Sequence, residues 1–142
     1  MLTTIAKDFN WEMGHRLPYH EAGCRNIHGH SYKMRVELTG SLDDQGMLMD
    51  YGIMKKLIDP LVERFDHAFV CDHNDTAMLD FFKENLLKVQ ILPFYTTAEN
   101  LAQYFLKEIA TLLKGQQNIT RITVRLQETE RTFAEVHMLM SE

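Results

Sequence analysis

Residues 30 to 40, HSYKMRVELTG, alternate cleanly between two chemistries. Tyr32, Met34, Val36 and Leu38 share one side, and Lys33, Arg35 and Glu37 the other, as in a strand with one buried face. Residues 2 to 13 follow the same pattern less regularly, with Ile5, Phe9, Trp11 and Met13 on the apolar side. Between these stretches Gly14, Pro18, Gly23 and Gly29 mark a loop over 14–29. Towards the end Ile122, Val124 and Leu126 alternate with Thr123, Arg125 and Gln127. A tight connection near Glu130 and Arg131 leads into a last strand from Phe133 to Met140.

Helical spacing takes over in between. After a DDQG turn at 43–46, Asp50 reads as an N-cap for Ile53, Met54, Leu57, Ile58 and Leu61. Pro60 should kink this helix or open its second half, with Asp59 as a fresh cap. Thr96 and Glu99 fit a capping box ahead of a stripe of Leu101, Tyr104, Phe105, Ile109, Leu112 and Leu113, and Gly115 fits a C-cap. Residues 66–95 fit no template as well, but 75–88 can form a short extra helix. The order is ββααββ plus an insertion. It predicts an α+β fold spanning 1–142 as one domain, a four-stranded antiparallel sheet with two main helices on one face. The uncovered face and edges of so small a sheet predict a homo-oligomer.

Composition narrows the function classes. With 142 residues, 45% hydrophobic and 25% charged, the chain has the profile of a globular fold. A net charge of -5 argues against a general nucleic-acid binder. Arg16, Arg25, Lys33 and Arg35 still allow a local basic pocket for a small anion. Lys7 and Asp8 interrupt the start before a secretory apolar run develops, and no stretch approaches the ~20 apolar residues of a membrane helix. Two cysteines, Cys24 and Cys71, leave a disulfide open, but a cytoplasmic protein with reduced thiols is the expectation.

The chemistry gathers in CRNIHGHSY, residues 24–32. In a strand, positions two apart point the same way, so His28 and His30 can converge. Gly29 between them lets another backbone approach. His15, at the end of the first strand, comes beside them if the two strands form a hairpin. Three neutral imidazoles suit zinc and leave a fourth position open, the arrangement of a catalytic site. Ordinary polar histidines fit the same pattern. His20, His73 and His137 read as structural or surface residues.

Cys24 is close enough in sequence to reach the same pocket, and a nearby cation or metal favours its thiolate. The pattern by itself favours a buried, inert thiol for Cys24 and packing for Cys71. Asp66 and His67 follow the first helix as a carboxylate and an imidazole that it could orient. Glu128 shares the apolar face of Leu126 and Val124 and would need a donor partner there, such as the forked N–H edge of a pterin or guanine. A strand-end glutamate in solvent is the plainer reading.

Taken jointly, these stretches resemble the 6-pyruvoyltetrahydropterin and 6-carboxytetrahydropterin synthase family. The matching pieces are GHRLP at 14–18, CRNIHGHSY at 24–32, DDQGMLMDY at 43–51, PLVERFDH at 60–67, TAEN at 97–100 and QET at 127–129, in family order across nearly the whole chain. The resemblance implies a tunnelling fold assembled into multi-subunit barrels, a hexamer foremost, with active sites between subunits. It implies zinc on His15, His28 and His30, Cys24 as the base, Asp66 and His67 as acid–base partners, and Glu128 as the pterin anchor. Thr97 and Glu99 are implied pterin contacts, although a cap already accounts for Glu99. Three residues between Cys24 and His28 look like the bacterial 6-carboxytetrahydropterin synthases of queuosine biosynthesis, whereas animal-type pyruvoyl enzymes look longer there.

The reaction so implied is a zinc-dependent lyase step on 7,8-dihydroneopterin triphosphate, giving 6-carboxy-5,6,7,8-tetrahydropterin, acetaldehyde and triphosphate. A pyruvoyl-type synthase is the first alternative, and a zinc- and pterin-binding protein without turnover is an alternative of another class. The stretch between His67 and Thr97 is longer than in the short bacterial enzymes, and the tail RTFAEVHMLMSE also departs from their pattern.

Overall fold

The structure, a computed structural model, describes residues 1–140. Six strands and three helices follow one another as β1 (Thr3–His15), β2 (His28–Gly40), α1 (Tyr51–Phe65), β3 (Ala68–Asp72), α2 (Thr76–Glu84), β4 (Val89–Leu92), α3 (Ala98–Leu112), β5 (Ile119–Thr129) and β6 (Thr132–Leu139). The sheet order is β4-β3-β1-β2-β5-β6. The α+β class and the antiparallel β1–β2 and β5–β6 hairpins match the sequence pattern.

The expected four-stranded sheet is corrected to six. β3 and β4 both come from the 66–95 stretch, and they pair parallel, β3 with β1 and β4 with β3. They have only five and four residues, and β3 is almost wholly buried. A short parallel strand reads as a brief apolar run rather than an alternation, so the period-2 signal has nothing to act on. The short extra helix exists as α2, N-capped by Asp75 and ending before Asn85.

The core lies between the sheet and the two long helices. Trp11 on β1 stacks with Tyr32 on β2 at 5.8 Å and meets Phe105 of α3 edge-on at 5.4 Å. Phe65 of α1 meets Phe105 at 5.1 Å, so one aromatic cluster ties both helices to the central hairpin. Each such ring, fully buried, stabilises the fold by about 1.5–3 kcal/mol. Phe69 alternates with the core residue Val70 and packs against Phe82 at 5.3 Å. α2 therefore covers the opposite face of the sheet edge from α1 and α3.

Local signals resolve differently in three places. α1 runs unbroken through Pro60, and Asp59 pairs with Lys55 one turn back instead of capping. The proline sits on the exposed side, where water can satisfy the carbonyl that loses its partner. The cap of α3 is Thr97, whose hydroxyl accepts from the Asn100 N–H, not Thr96. Its C-cap is Leu113, ahead of Gly115.

Candidate metal and pterin site

The β1–β2 register pairs His15 with His28 and Met13 with His30. These histidines lie where the connecting loop joins β1 to β2, on the face that carries Trp11 and Tyr32 deeper in the core. Backbone must come close there: a Cβ on Gly29 would stand 3.1 Å from the Met13 carbonyl oxygen. One ligand atom from each of His15, His28 and His30 lies within 4.8 Å of the others.

Hydrogen bonds orient the rings. His15 Nδ1–H donates to the Thr96 carbonyl at 2.8 Å, and the Thr96 hydroxyl is 3.3 Å away. His28 Nδ1–H donates to the Asn26 carbonyl at 2.7 Å. A carbonyl only accepts, so both rings carry a proton on Nδ1 and turn Nε2 towards the cluster. Burial of His15, helped by the neighbouring imidazoles, pushes its pKa down to about 4. It is neutral at neutral pH, the form that binds a metal. His30 is shifted in the same direction, again chiefly by burial.

His15 Nε2 is buried and has no hydrogen-bond partner among the described residues. An orphaned buried acceptor costs about 1–3 kcal/mol. The Glu128 carboxylate is 3.9 Å from it, beyond hydrogen-bond reach, and 3.7 Å from His30 Nε2. With His15 neutral, that approach is no ion pair. Three converging imidazoles and one unsatisfied buried lone pair fit a zinc ion held by His15, His28 and His30 with a position left open.

Glu128 is not the solvent-exposed strand end that the sequence favoured. Its side chain is 21% exposed. β5 advances from Gln127 to Thr129 while β6 advances only from Phe133 to Thr132, so Glu128 is the extra residue of a bulge. The Tyr32 hydroxyl donates to its Oε1 at 3.4 Å. Burial raises the Glu128 pKa, partly offset by that hydrogen bond. One carboxylate oxygen is left for a donor from elsewhere, beside the histidine cluster.

Asp66 and His67 form a pair despite being adjacent: His67 Nδ1 is 2.9 Å from Asp66 Oδ1. The pair is fixed by β1. Glu12 N–H donates to Asp66 at 3.1 Å, and His67 N–H donates to the Glu12 carbonyl at 2.6 Å. The Glu12 backbone donor, with His67 beside it, holds the Asp66 carboxyl below the usual range. His67 has φ of 60°, left-handed backbone that a non-glycine residue adopts at a cost of about 1–2 kcal/mol. His67 lines a groove of about 640 Å³ with Glu12, Gly14, Gly29 and Ser31, which alternate with the histidine-cluster face, and with Met13 and His30 of that face.

Cys24 departs from the buried, inert reading. It sits in a 3-10 turn, Gly23–Arg25, and is exposed, while Cys71 is buried and both thiols are free. Burial pushes the Cys71 thiol up to about 11, in keeping with packing. Thr97 Oγ1 is engaged as the α3 cap, and Glu99 is exposed in the first helical turn. The structure thus brings His15, His28, His30 and Glu128 together in one chain and sets Asp66–His67 on the other face of the hairpin. Sequence reasoning missed Thr96, Asn26 and Glu12, whose contributions here are partly backbone atoms and leave no side-chain signal. Tyr32 could have been found, because it alternates in phase with His28 and His30.

A hairpin that presents three histidines beside a half-buried carboxylate defines an α+β protein with a metal-ready small-molecule site. Comparison with known proteins is in keeping. The family model described as 6-pyruvoyl tetrahydropterin synthase matches residues 4–138, and the chain belongs to that enzyme family. A Haemophilus influenzae protein named 6-carboxy-5,6,7,8-tetrahydropterin synthase is 32% identical over 139 residues, covering 92% of this chain and 96% of the relative. A Rickettsia conorii protein of the same name is 32% identical over 130 residues, covering 89% and 94%. Among solved structures, 6-pyruvoyl tetrahydropterin synthase from Plasmodium vivax aligns with a TM-score of 0.78 at 16% identity, over 98% of this chain and 99% of that one. The Caenorhabditis elegans enzyme aligns with a TM-score of 0.67 at 22% identity, over 99% and 97%. These two likenesses bear on the fold alone.

Proposed function

We propose that this chain converts 7,8-dihydroneopterin triphosphate and one water to 6-carboxy-5,6,7,8-tetrahydropterin, with release of acetaldehyde and triphosphate, in the queuosine (7-deazaguanine) route of the cytoplasm. The observation that carries the proposal is the unsatisfied His15 Nε2 in a three-histidine cluster with Glu128 3.9 Å away. Relatives of that name at 32% identity over nearly full length support the choice of product.

Glu128 accepts two hydrogen bonds from the 2-amino and N3 edge of the pterin. Tyr32 holds that carboxylate in place from below. His15, His28 and His30 would hold a zinc ion, which would supply Lewis-acid polarisation of the substrate's side-chain hydroxyls. Cys24 thiolate takes a proton from the side chain. His67, its Nδ1 engaged by Asp66, uses Nε2 to relay or return protons. Thr97 and Glu99, at the start of α3, flank the ring.

Asp66–His67 lies across the hairpin from the zinc cluster, so the proposed site is completed between subunits, with a hexamer as the favoured assembly. The edges β4 and β6 and the exposed Phe133 and Leu139 are surfaces that such an assembly would cover.

Product analysis with dihydroneopterin triphosphate tests the reading. Acetaldehyde in amounts equal to the triphosphate released is expected. A pyruvoyl product without acetaldehyde would assign the 6-pyruvoyl reaction instead, and binding of zinc and pterin without turnover would make the chain a non-catalytic binder.

A further inference from the structure

The connection from Arg16 to Ile27 joins His15 to His28 and carries Cys24. It has little packing of its own: residues 19 to 27 are all exposed, and its 3-10 turn buries nothing. Its shape must therefore be set by its anchors. The strongest is an ion pair with α2. Asp75, only 5% exposed, accepts from Arg16 Nε–H at 2.7 Å and from Nη2–H at 2.6 Å. This forked geometry fixes orientation as well as distance.

The anchor passes directly to the cysteine. The next residue, Leu17, donates its backbone N–H to the Cys24 carbonyl at 2.7 Å. Thr96, which orients His15, donates its hydroxyl to the Arg16 carbonyl at 3.5 Å. Tyr19 packs against Tyr95 with ring centres 4.5 Å apart. Asp75 and Tyr95 both come from the 68–95 stretch that also supplies β3, α2 and β4.

We infer that Asp75 is a positioning residue: acting through Arg16, it sets the loop that carries Cys24 relative to the histidine cluster. The β3–α2–β4 unit thereby braces the loop that carries Cys24 as well as widening the sheet. The inference rests on the reading of Cys24 as the base. A displacement of about 1 Å in a reacting group can cost on the order of a hundredfold in rate, so the brace has a measurable consequence.

Asp75→Asn tests it in the full-length, zinc-loaded protein. Asn caps a helix about as well as Asp, so α2 keeps its start while the charged fork is lost. The expected result is a fall in kcat of roughly tenfold or more, with KM within about twofold and zinc per chain unchanged. Iodoacetamide reports Cys24 independently of turnover, because Cys71 is 1% exposed. Its rate should change by about threefold or more in Asp75→Asn. Asp75→Glu, which restores the carboxylate, should recover most of both readouts. Should Asp75→Asn fail to fold, Arg16→Lys keeps the charge and removes the fork, and the same two readouts apply.

Unchanged kcat and unchanged alkylation in a folded variant would overturn the inference. So would losses that track thermal stability and are not recovered by Asp75→Glu. If the wild-type protein gives no turnover with dihydroneopterin triphosphate, the proposed reaction fails, and the alkylation comparison alone decides whether Asp75 sets the loop.

Discussion

His15, His28 and His30 stand on two paired strands, whereas Cys24 stands in a three-residue turn and His67 on a corner between α1 and β3. The first group is oriented by the ladder and by the carbonyls of Thr96 and Asn26. The second is exposed and depends on a few contacts: Arg16–Asp75 for the Cys24 loop, and Glu12 for Asp66–His67. Metal binding demands ligands fixed to within fractions of an ångström, which strands supply. Proton transfer needs groups that a substrate can reach, and loops supply those at the expense of rigidity. The proposed metal half can therefore assemble in one chain, while the proposed proton-transfer half depends on its anchors and, in the proposed oligomer, on a neighbour.

The largest effect should come from the strand half. His15→Ala removes the buried ligand and should abolish stoichiometric zinc binding, with turnover lost by more than about a hundredfold. Metal analysis and product formation check this together. A variant that keeps one zinc per chain would sink the three-histidine assignment. Cys24→Ala should separate the halves: zinc content as in wild type, kcat down by about a hundredfold to ten-thousandfold. Wild-type product formation by this variant would remove Cys24 from the mechanism.

Acid should also act on the strand half first. His15 titrates near 4 when folded and near 6.5 when unfolded. Between these values the unfolded chain binds the extra proton, so stability contributed by neutral His15 is complete above pH 6.5 and is lost as pH falls towards 4. The depression corresponds to about 3 kcal/mol, an upper figure for a group this buried. Denaturant midpoints of zinc-free protein between pH 7 and 4 should fall accordingly, and the slope should flatten in His15→Ala. An equal slope in the variant would assign the acid sensitivity elsewhere.

His67 offers the contrasting case, a residue kept at a cost to stability. Its left-handed backbone favours glycine, so His67→Gly should raise stability by up to about 1 kcal/mol while product formation collapses. A variant both less stable and fully active would contradict both halves of that expectation.

The same division explains what could be read from the sequence. The hairpin, its core face and the His15–His28–His30 convergence follow from period-2 alternation, which long antiparallel strands write plainly. β3 left almost no trace because a short buried parallel strand does not alternate, and β4, four residues at the sheet edge, is too short to show a period. Glu128 was misread as solvent-exposed because a bulge and the distant Tyr32 hydroxyl decide its burial. Cys24 was misread as buried because a turn without apolar partners has no periodicity to betray its exposure. The roles of Cys24, Asp66, His67 and Glu128 came from family resemblance, since adjacent or loop-borne polar residues carry no geometric signal of their own.

The smallest effect concerns Thr97, on the border between the two regions. Its hydroxyl accepts from the Asn100 N–H at 3.1 Å and starts the helix that follows Thr96, the residue orienting His15. Thr97→Ala should lower stability by about 1 kcal/mol, and Thr97→Ser should restore nearly all of it. If capping is the whole role, KM for the pterin stays within experimental scatter in both variants. If Thr97 also touches the ring, KM rises in Thr97→Ala beyond what the stability change explains and recovers in Thr97→Ser. Denaturation midpoints measured beside KM on the same preparations separate the two, because a cap acts on the folded population and a ring contact acts on substrate affinity.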